Sequence, residues 1–120
     1  MYKDSKTGAI YVELFGKLHW ITAKPVLDLI FGVNPIITDD VPPYDKGFDI
    51  GPGSCLVWSS SKLFLYAANT PPDEGTAFWI TNPDVKAKYQ FNGTGFPVNP
   101  GDAIIADDLV LLAQGGPDIT

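Results

Sequence analysis

The residues of this sequence that suit the binding of a ligand or a metal ion are aromatic and acidic side chains outside the apolar runs. Three tryptophans and five tyrosines are many for an acidic chain of 120 residues. An aromatic ring stacks on the C–H face of a sugar, and nearby carboxylates or amides take the sugar hydroxyls. The residues that we expect to contact a ligand are Tyr2, Tyr44, Asp45, Trp58, Asp73 and Asn92. We expect Trp20 and Trp79 to lie in the core instead.

Two pairs of aspartates are the residues that suit a metal ion. Each pair lies one residue beyond an Ile-Ile pair, and oxygen-rich loops of this kind suit calcium. The spacing of an EF-hand loop is absent, and aspartate is also a common turn and cap residue. We therefore expect structural turns and no cofactor. The alternative is a calcium site at Asp39, Asp40, Asp107 and Asp108.

The sequence carries no catalytic signature. His19 is the only histidine, so a Ser-His-Asp or Cys-His site would have to use it. The single cysteine, Cys55, lies in an apolar run and is typical of a buried residue. Glu13 and Glu74 are the only glutamates, and nothing in the sequence fixes the separation that a glycosidase needs. We expect no enzymatic activity, and a hydrolase with an unrecognised site is the alternative.

Charge and composition exclude several classes of partner. The formal net charge is −6, and the eight Lys and Arg residues are scattered, which argues against nucleic-acid binding. No run of about 18 apolar residues exists, so we expect no membrane span. The first residues lack the basic-then-apolar pattern of a signal peptide. Eleven prolines and twelve glycines indicate many turns and little long helix.

An internal repeat predicts the elements that position these residues. The tripeptide Trp-Ile-Thr occurs at residues 20–22 and again at 79–81, about half the chain apart, and similar features follow each copy in the same order. Each half is typical of two strands, a short helix and two further strands. We predict an α+β fold, mostly β, in a single domain spanning residues 1–120. Its two pseudo-symmetric repeats would cover about residues 5–54 and 55–120.

Local signals place the hairpin and helices within each half. Alternating residues at 9–15 and 18–22 predict a hairpin with its turn at 16–17. We expect Thr22 to cap the first helix and Asn82 to cap the second, each just before a proline-containing first turn. We also expect Lys86 to face solvent.

The run Gly-Lys-Leu-His-Trp-Ile at residues 16–21, with Pro25 and the Phe-Gly pair at 31–32 after it, resembles a tandem repeat of bacterial exported and surface proteins. In those repeats a basic residue or His precedes Trp-Ile, and Pro, a short helix and Gly-Phe follow. The second copy matches through residues 78–80, 82–83, Val85 and Phe91. This sequence departs in its Phe-Gly order and in its longer second hairpin loop. The resemblance implies a non-catalytic attachment or recognition module, secreted or at the cell surface.

The sequence therefore predicts a binding module for a glycan or another cell-surface component. The loops at residues 39–53, 69–75 and 92–102 are its expected contact surface, because loops on a rigid scaffold commonly carry binding. The main alternative is a subunit of a bacterial toxin or phage-derived assembly that acts through protein–protein contacts. Self-association of the chain through an exposed apolar edge is a further alternative.

Overall fold

The computed structural model of the protein describes residues 1–32, 35–59, 61–68, 75–92, 104–105 and 116–120. The elements in these residues form an α+β arrangement with mostly β-structure, which confirms the predicted class. In chain order they are β1 (Tyr2–Lys3), β2 (Ile10–Leu14), β3 (Lys17–Ile21), α1 (Lys24–Phe31), β4 (Cys55–Ser59), β5 (Lys62–Ala67), β6 (Thr76–Ile80), α2 (Pro83–Lys88) and β7 (Ile104–Ile105). Neither described helix has the length and hydropathy needed to cross a membrane.

The strands form two sheets. The first has the order β1-β2-β3, and its neighbouring strands are antiparallel. The second has the order β6-β5-β4-β7, in which β4 and β7 are parallel and the other pairs are antiparallel. Both sheets thus contain a meander of three antiparallel strands, and in both the last of these strands leads directly into a helix.

The β2–β3 hairpin turns one residue earlier than the sequence predicts. Its two turn residues are Phe15 and Gly16, with φ of 58° and 73°. Two consecutive positive φ values characterise the tight hairpin turn that matches the twist of the strands, and Gly16 adopts this conformation without strain. β3 therefore begins at Lys17 and pairs with β2 from Leu14↔Lys17 to Ile10↔Ile21.

The two helices begin differently. Asn82 caps α2 as predicted, because its Oδ1 accepts a hydrogen bond of 3.0 Å from the Val85 N–H. The prediction for α1 is wrong: the cap residue is Ala23, not Thr22, and no side chain caps the helix. Gly32 ends α1 with a φ of 81°, which favours glycine.

One hydrophobic core joins the two sheets and both helices. The inner side chains of β2 and β3 alternate with outward ones, and the same is true of β5 and β6. The helices add Phe31, which stacks at 5.3 Å on Phe91 from the segment after α2. Lys86 is also buried, so its predicted solvent exposure is wrong. The strands contribute Val12, Leu14, Ile21, Leu56, Leu63, Leu65, Ala67, Phe78 and Ile80 to this core. Ile50 and Ile119, which lie outside the strands, complete it.

Candidate functional site

A row of three aromatic side chains crosses the outer face of the first sheet. Tyr2 on β1 is paired with Tyr11 on β2, and Tyr11 is paired with Trp20 on β3. Directly paired residues point to the same side of a sheet, so these three rings share one face. Trp20 is 41% exposed, and the two tyrosines are partly exposed. We call these three residues the aromatic row.

The segment at residues 45–50 runs beside β3 and borders the aromatic row. The Leu18 N–H donates to the Asp45 carbonyl, and the Gly47 N–H donates to the Leu18 carbonyl, both at 2.8 Å. The Ile50 N–H donates to the Trp20 carbonyl, also at 2.8 Å. These main-chain bonds fix the segment along the edge of the sheet. We call it the flanking segment.

Charged groups of the flanking segment lie next to the aromatic rings. The Lys46 ammonium is 3.9 Å from the centre of the Tyr11 ring, a cation–π contact. Lys46 and Asp49 also line a small depression, of about 200 Å³, together with Tyr11, Leu18 and Trp20. Both charged residues are exposed. The arrangement offers a flat apolar surface with a hydrogen-bond donor and an acceptor at its border.

A second, larger depression of about 520 Å³ also has Trp20 in its lining. It is bounded by the loop before β2, by the end of β3 and by the first turn of α1. Its lining is mostly aliphatic, and Thr7 and Lys24 supply polar groups. The Lys24 ammonium forms an ion pair of 3.0 Å with Asp28.

No family model, curated protein or solved structure matches the chain.

The predicted contact residues do not all meet at one place. Tyr2 belongs to the aromatic row, and Asp45 belongs to the flanking segment. Tyr44, one residue earlier, is 48% exposed. Trp58 lies on β4 and packs, half-buried, against the main core.

The remaining predicted contact residues lie away from the row or outside the described chain. Asn92 is bonded to the end of α1, because its N–H donates to the Ile30 carbonyl at 2.8 Å. Asp73 lies outside the described residues, as do Asp107 and Asp108 from the predicted calcium site. Asp39 and Asp40 are exposed. Within the described ranges no three His, Cys, Asp or Glu side chains converge to hold a metal ion.

Tyr11, Trp20, Lys46 and Asp49 are the site residues that the sequence interpretation did not select. The expectation that Trp20 lies in the core is wrong, because its outer face is open. His19 and Ile21, on either side of it in β3, are inward and buried in the structure, so strand alternation turns Trp20 to the outer face. Lys46 and Asp49 lie in the predicted contact loop at residues 39–53, but the sequence did not single them out, because they reach the row through the pairing of the flanking segment with β3.

His19 is part of the interior rather than the site surface. Its side chain is 1% exposed, and its ring nitrogens Nδ1 and Nε2 lie 2.9 and 3.0 Å from the carbonyl oxygens of Phe48 and Leu14. The ring also packs against the Phe48 ring, with 4.2 Å between centres. In this arrangement both ring nitrogens face the main chain, and His19 ties the flanking segment to the hairpin.

Cys55 is buried on the second sheet, as the sequence predicts. Burial raises the pKa of the Cys55 thiol, because a thiolate is poorly solvated there. The residue packs with Val57, Phe64 and Ala77 in a small apolar cluster on the outer face of that sheet.

Proposed function

We propose that the protein is a non-catalytic binding module whose ligand is a glycan or another carbohydrate component of a cell surface. The observation that carries this proposal is the solvent-open aromatic row. Tyrosine and tryptophan rings present a flat apolar surface at low entropic cost, and sugars offer a matching face of C–H groups. Single exposed apolar residues need no explanation, whereas three aromatic rings side by side on one face favour a contact surface.

The border of the row supports a polar ligand with hydroxyl groups. Asp49 can accept hydrogen bonds and Lys46 can donate them; Lys46 lies over the Tyr11 ring, and Asp49 lines the same depression as Tyr11 and Trp20. The main-chain bonds between the flanking segment and β3 hold the backbone that carries these groups in place before a ligand arrives. Such preorganisation lowers the entropic cost of binding.

We further infer that the two halves of the chain are pseudo-symmetric repeats. The ends of β3 and β6 support this: the Ile50 N–H donates to the Trp20 carbonyl, and the Ile119 N–H donates to the Trp79 carbonyl, both at 2.8 Å. A hairpin precedes a short helix in each half. The resemblance to repeats of bacterial exported and surface proteins favours a secreted or cell-surface setting for the module.

Isothermal titration calorimetry of the full chain against a panel of oligosaccharides tests the carbohydrate proposal. Trp20→Ala should weaken the wild-type interaction at least tenfold, a loss of about 1.4 kcal/mol of binding free energy. Trp79→Phe is the matched control, because Trp79 holds the corresponding place on β6 but packs against the buried cluster. That variant should bind like the wild type.

Two results would overturn the proposal. One is a Trp20→Ala protein that retains its circular dichroism spectrum and binds the sugar as tightly as the wild type. The other is a folded wild-type chain that binds none of the sugars in a panel covering neutral, amino and acidic types.

A protein partner is the second candidate, and exposed aliphatic side chains favour it. Ile36 is 78% exposed and Leu29 is 49% exposed. Gln90 holds the Ile36 main chain through bonds of 2.7 and 2.9 Å, so this side chain is presented from a fixed backbone. A subunit of a toxin or phage-derived assembly, or a self-associating chain, would use such a surface. Concentration-dependent sedimentation that Ile36→Lys abolishes would support this candidate; an unchanged monomer would count against self-association.

A further inference from the structure

Trp20 is the one residue that lines both depressions of the site. The smaller depression, of about 200 Å³, adjoins Trp20 on the side of Leu18. The larger, of about 520 Å³, adjoins it on the side of Thr22. Leu18, Trp20 and Thr22 are alternate residues of one extended run and therefore succeed each other on the same side of it. The two depressions thus meet at Trp20: the smaller lies beside the earlier part of β3, and the larger lies where β3 ends.

The spacing along β3 sets the length of a ligand that would use both depressions. From Leu18 to Thr22 the extended chain advances about 13 Å, at about 3.3 Å per residue. The smaller depression lies below the range of about 300–1,000 Å³ that is usual for a complete small-molecule site, whereas the larger falls inside it. A ligand that stacks on Trp20 and reaches both sides must be elongated.

The two depressions also differ in chemistry. The smaller is bordered by the charged Lys46 and Asp49. The larger is lined mostly by small or aliphatic groups such as Ala9, Leu27 and Ile37. One end of an elongated ligand would therefore be held by polar contacts, and the other by packing.

We propose that the protein recognises the interior of a linear glycan chain, with one unit stacked on Trp20 and neighbouring units in the two depressions. This inference rests on the proposed carbohydrate-binding function and deepens it. A module that binds only the terminal sugar of a chain needs one depression beside the ring, since a terminal unit has a neighbour on one side only. The glycan lies along β3 and extends past both sides of the indole ring.

Calorimetric titration with ladders of chito-, cello- and malto-oligosaccharides, from one to six units, tests this proposal. Affinity for the ladder that binds should rise at least tenfold between one unit and three. Filling the larger depression by Ala9→Trp should remove most of that gain. Ala87→Trp is the matched control, because Ala87 is an exposed alanine on α2 that lines neither depression. It should keep the full length dependence.

The outcomes separate this proposal from the function on which it rests. If single units bind as tightly as long chains and depend on Trp20, the carbohydrate function stands and the chain-interior proposal is overturned. The proposal also fails if Ala9→Trp keeps the full length dependence. If no ladder binds, or if binding is indifferent to Trp20→Ala, the carbohydrate function is overturned, and the chain-interior proposal fails with it.

Discussion

The outer faces of the two sheets carry matching rows of side chains, and the row on the first sheet is the more open to solvent. In the first sheet the row is Tyr2, Tyr11 and Trp20. In the second sheet the residues at the corresponding strand positions are Val57, Phe64 and Trp79. Val57 and Phe64 are buried, and Trp79 packs against their cluster. The same pairing of strands thus supports a surface in one half and a small apolar cluster in the other.

The chemistry of the paired residues follows this difference. Each tyrosine of the open row carries a hydroxyl that water can solvate, whereas the corresponding Val57 and Phe64 are purely apolar. Burying apolar area stabilises the fold by about 25 cal/mol per Å², so the second row contributes to stability. The side chains of the first row bury less of their apolar area and stabilise the fold less, so their rings are accessible from solvent.

Truncation of the middle residue of each row should give the largest contrast. Phe64→Ala should lower the free energy of unfolding by about 3–5 kcal/mol, because it empties a buried site. Tyr11→Ala should lower it by only about 1 kcal/mol, chiefly through loss of the Lys46 cation–π contact. Urea unfolding followed by far-ultraviolet circular dichroism measures both values. Similar losses for the two variants would show that the faces do not differ as described.

His19 and Phe78 hold corresponding positions on β3 and β6, and exchanging one for the other gives the next effect. His19→Phe keeps an aromatic ring beside Phe48 but presents no ring nitrogen to the carbonyls of Phe48 and Leu14. We expect a loss of about 1–3 kcal/mol, because it leaves a buried main-chain acceptor without its donor. Thermal and urea unfolding measure this loss. Because His19 is interior, the variant should keep any Trp20-dependent sugar binding; a variant as stable as the wild type would refute the structural role.

Local signals were sufficient for some of these features. The Asn-Pro pair at residues 82–83 predicted a capped helix start, and the alternation in residues 9–15 predicted β2. Such signals depend on neighbours in sequence, and the structure confirms both. The hairpin turn lies one residue before its predicted position, because Phe15 adopts a positive φ that is unusual for phenylalanine.

The exposure of each outer face could not be predicted in the same way. Trp20 and Trp79 occupy the same short motif, yet Trp20 is 41% exposed and Trp79 is half-buried against an apolar cluster. Which face is covered depends on contacts between segments distant in sequence. The same holds for Lys46 and Asp49, which reach the aromatic row only because residues 45–50 pair with β3. Of the candidate site, the sequence therefore predicted the chemistry, the loop at residues 39–53 that contains the flanking segment, and the single residues Tyr2 and Asp45.

The threonines of the two Trp-Ile-Thr motifs provide a finer comparison. The Thr81 hydroxyl donates to the Ile119 carbonyl at 3.1 Å, whereas the buried Thr22 hydroxyl has no hydrogen-bond partner. Thr81→Val should cost about 1 kcal/mol of unfolding free energy, the usual net value of one hydrogen bond. Thr22→Val should be neutral or slightly stabilising, because it removes an unpaired polar group of similar shape. Paired urea titrations measure the difference, and equal costs would contradict it.

The caps of α1 and α2 differ as the two threonines do, because only the second has a side-chain hydrogen bond. Changes at these caps should give the smallest effects. Asn82→Ala removes the side-chain bond to the Val85 N–H and should cost about 0.5–1 kcal/mol. Ala23→Ser should stabilise α1 by a similar amount, because Ala23 already has the extended backbone (φ −152°, ψ 150°) of a capping residue and only lacks the acceptor. Urea midpoints should therefore move in opposite directions for the two variants. If Ala23→Ser lowers the midpoint instead, the first turn of α1 does not accept a side-chain cap at this position, which also lines the larger depression.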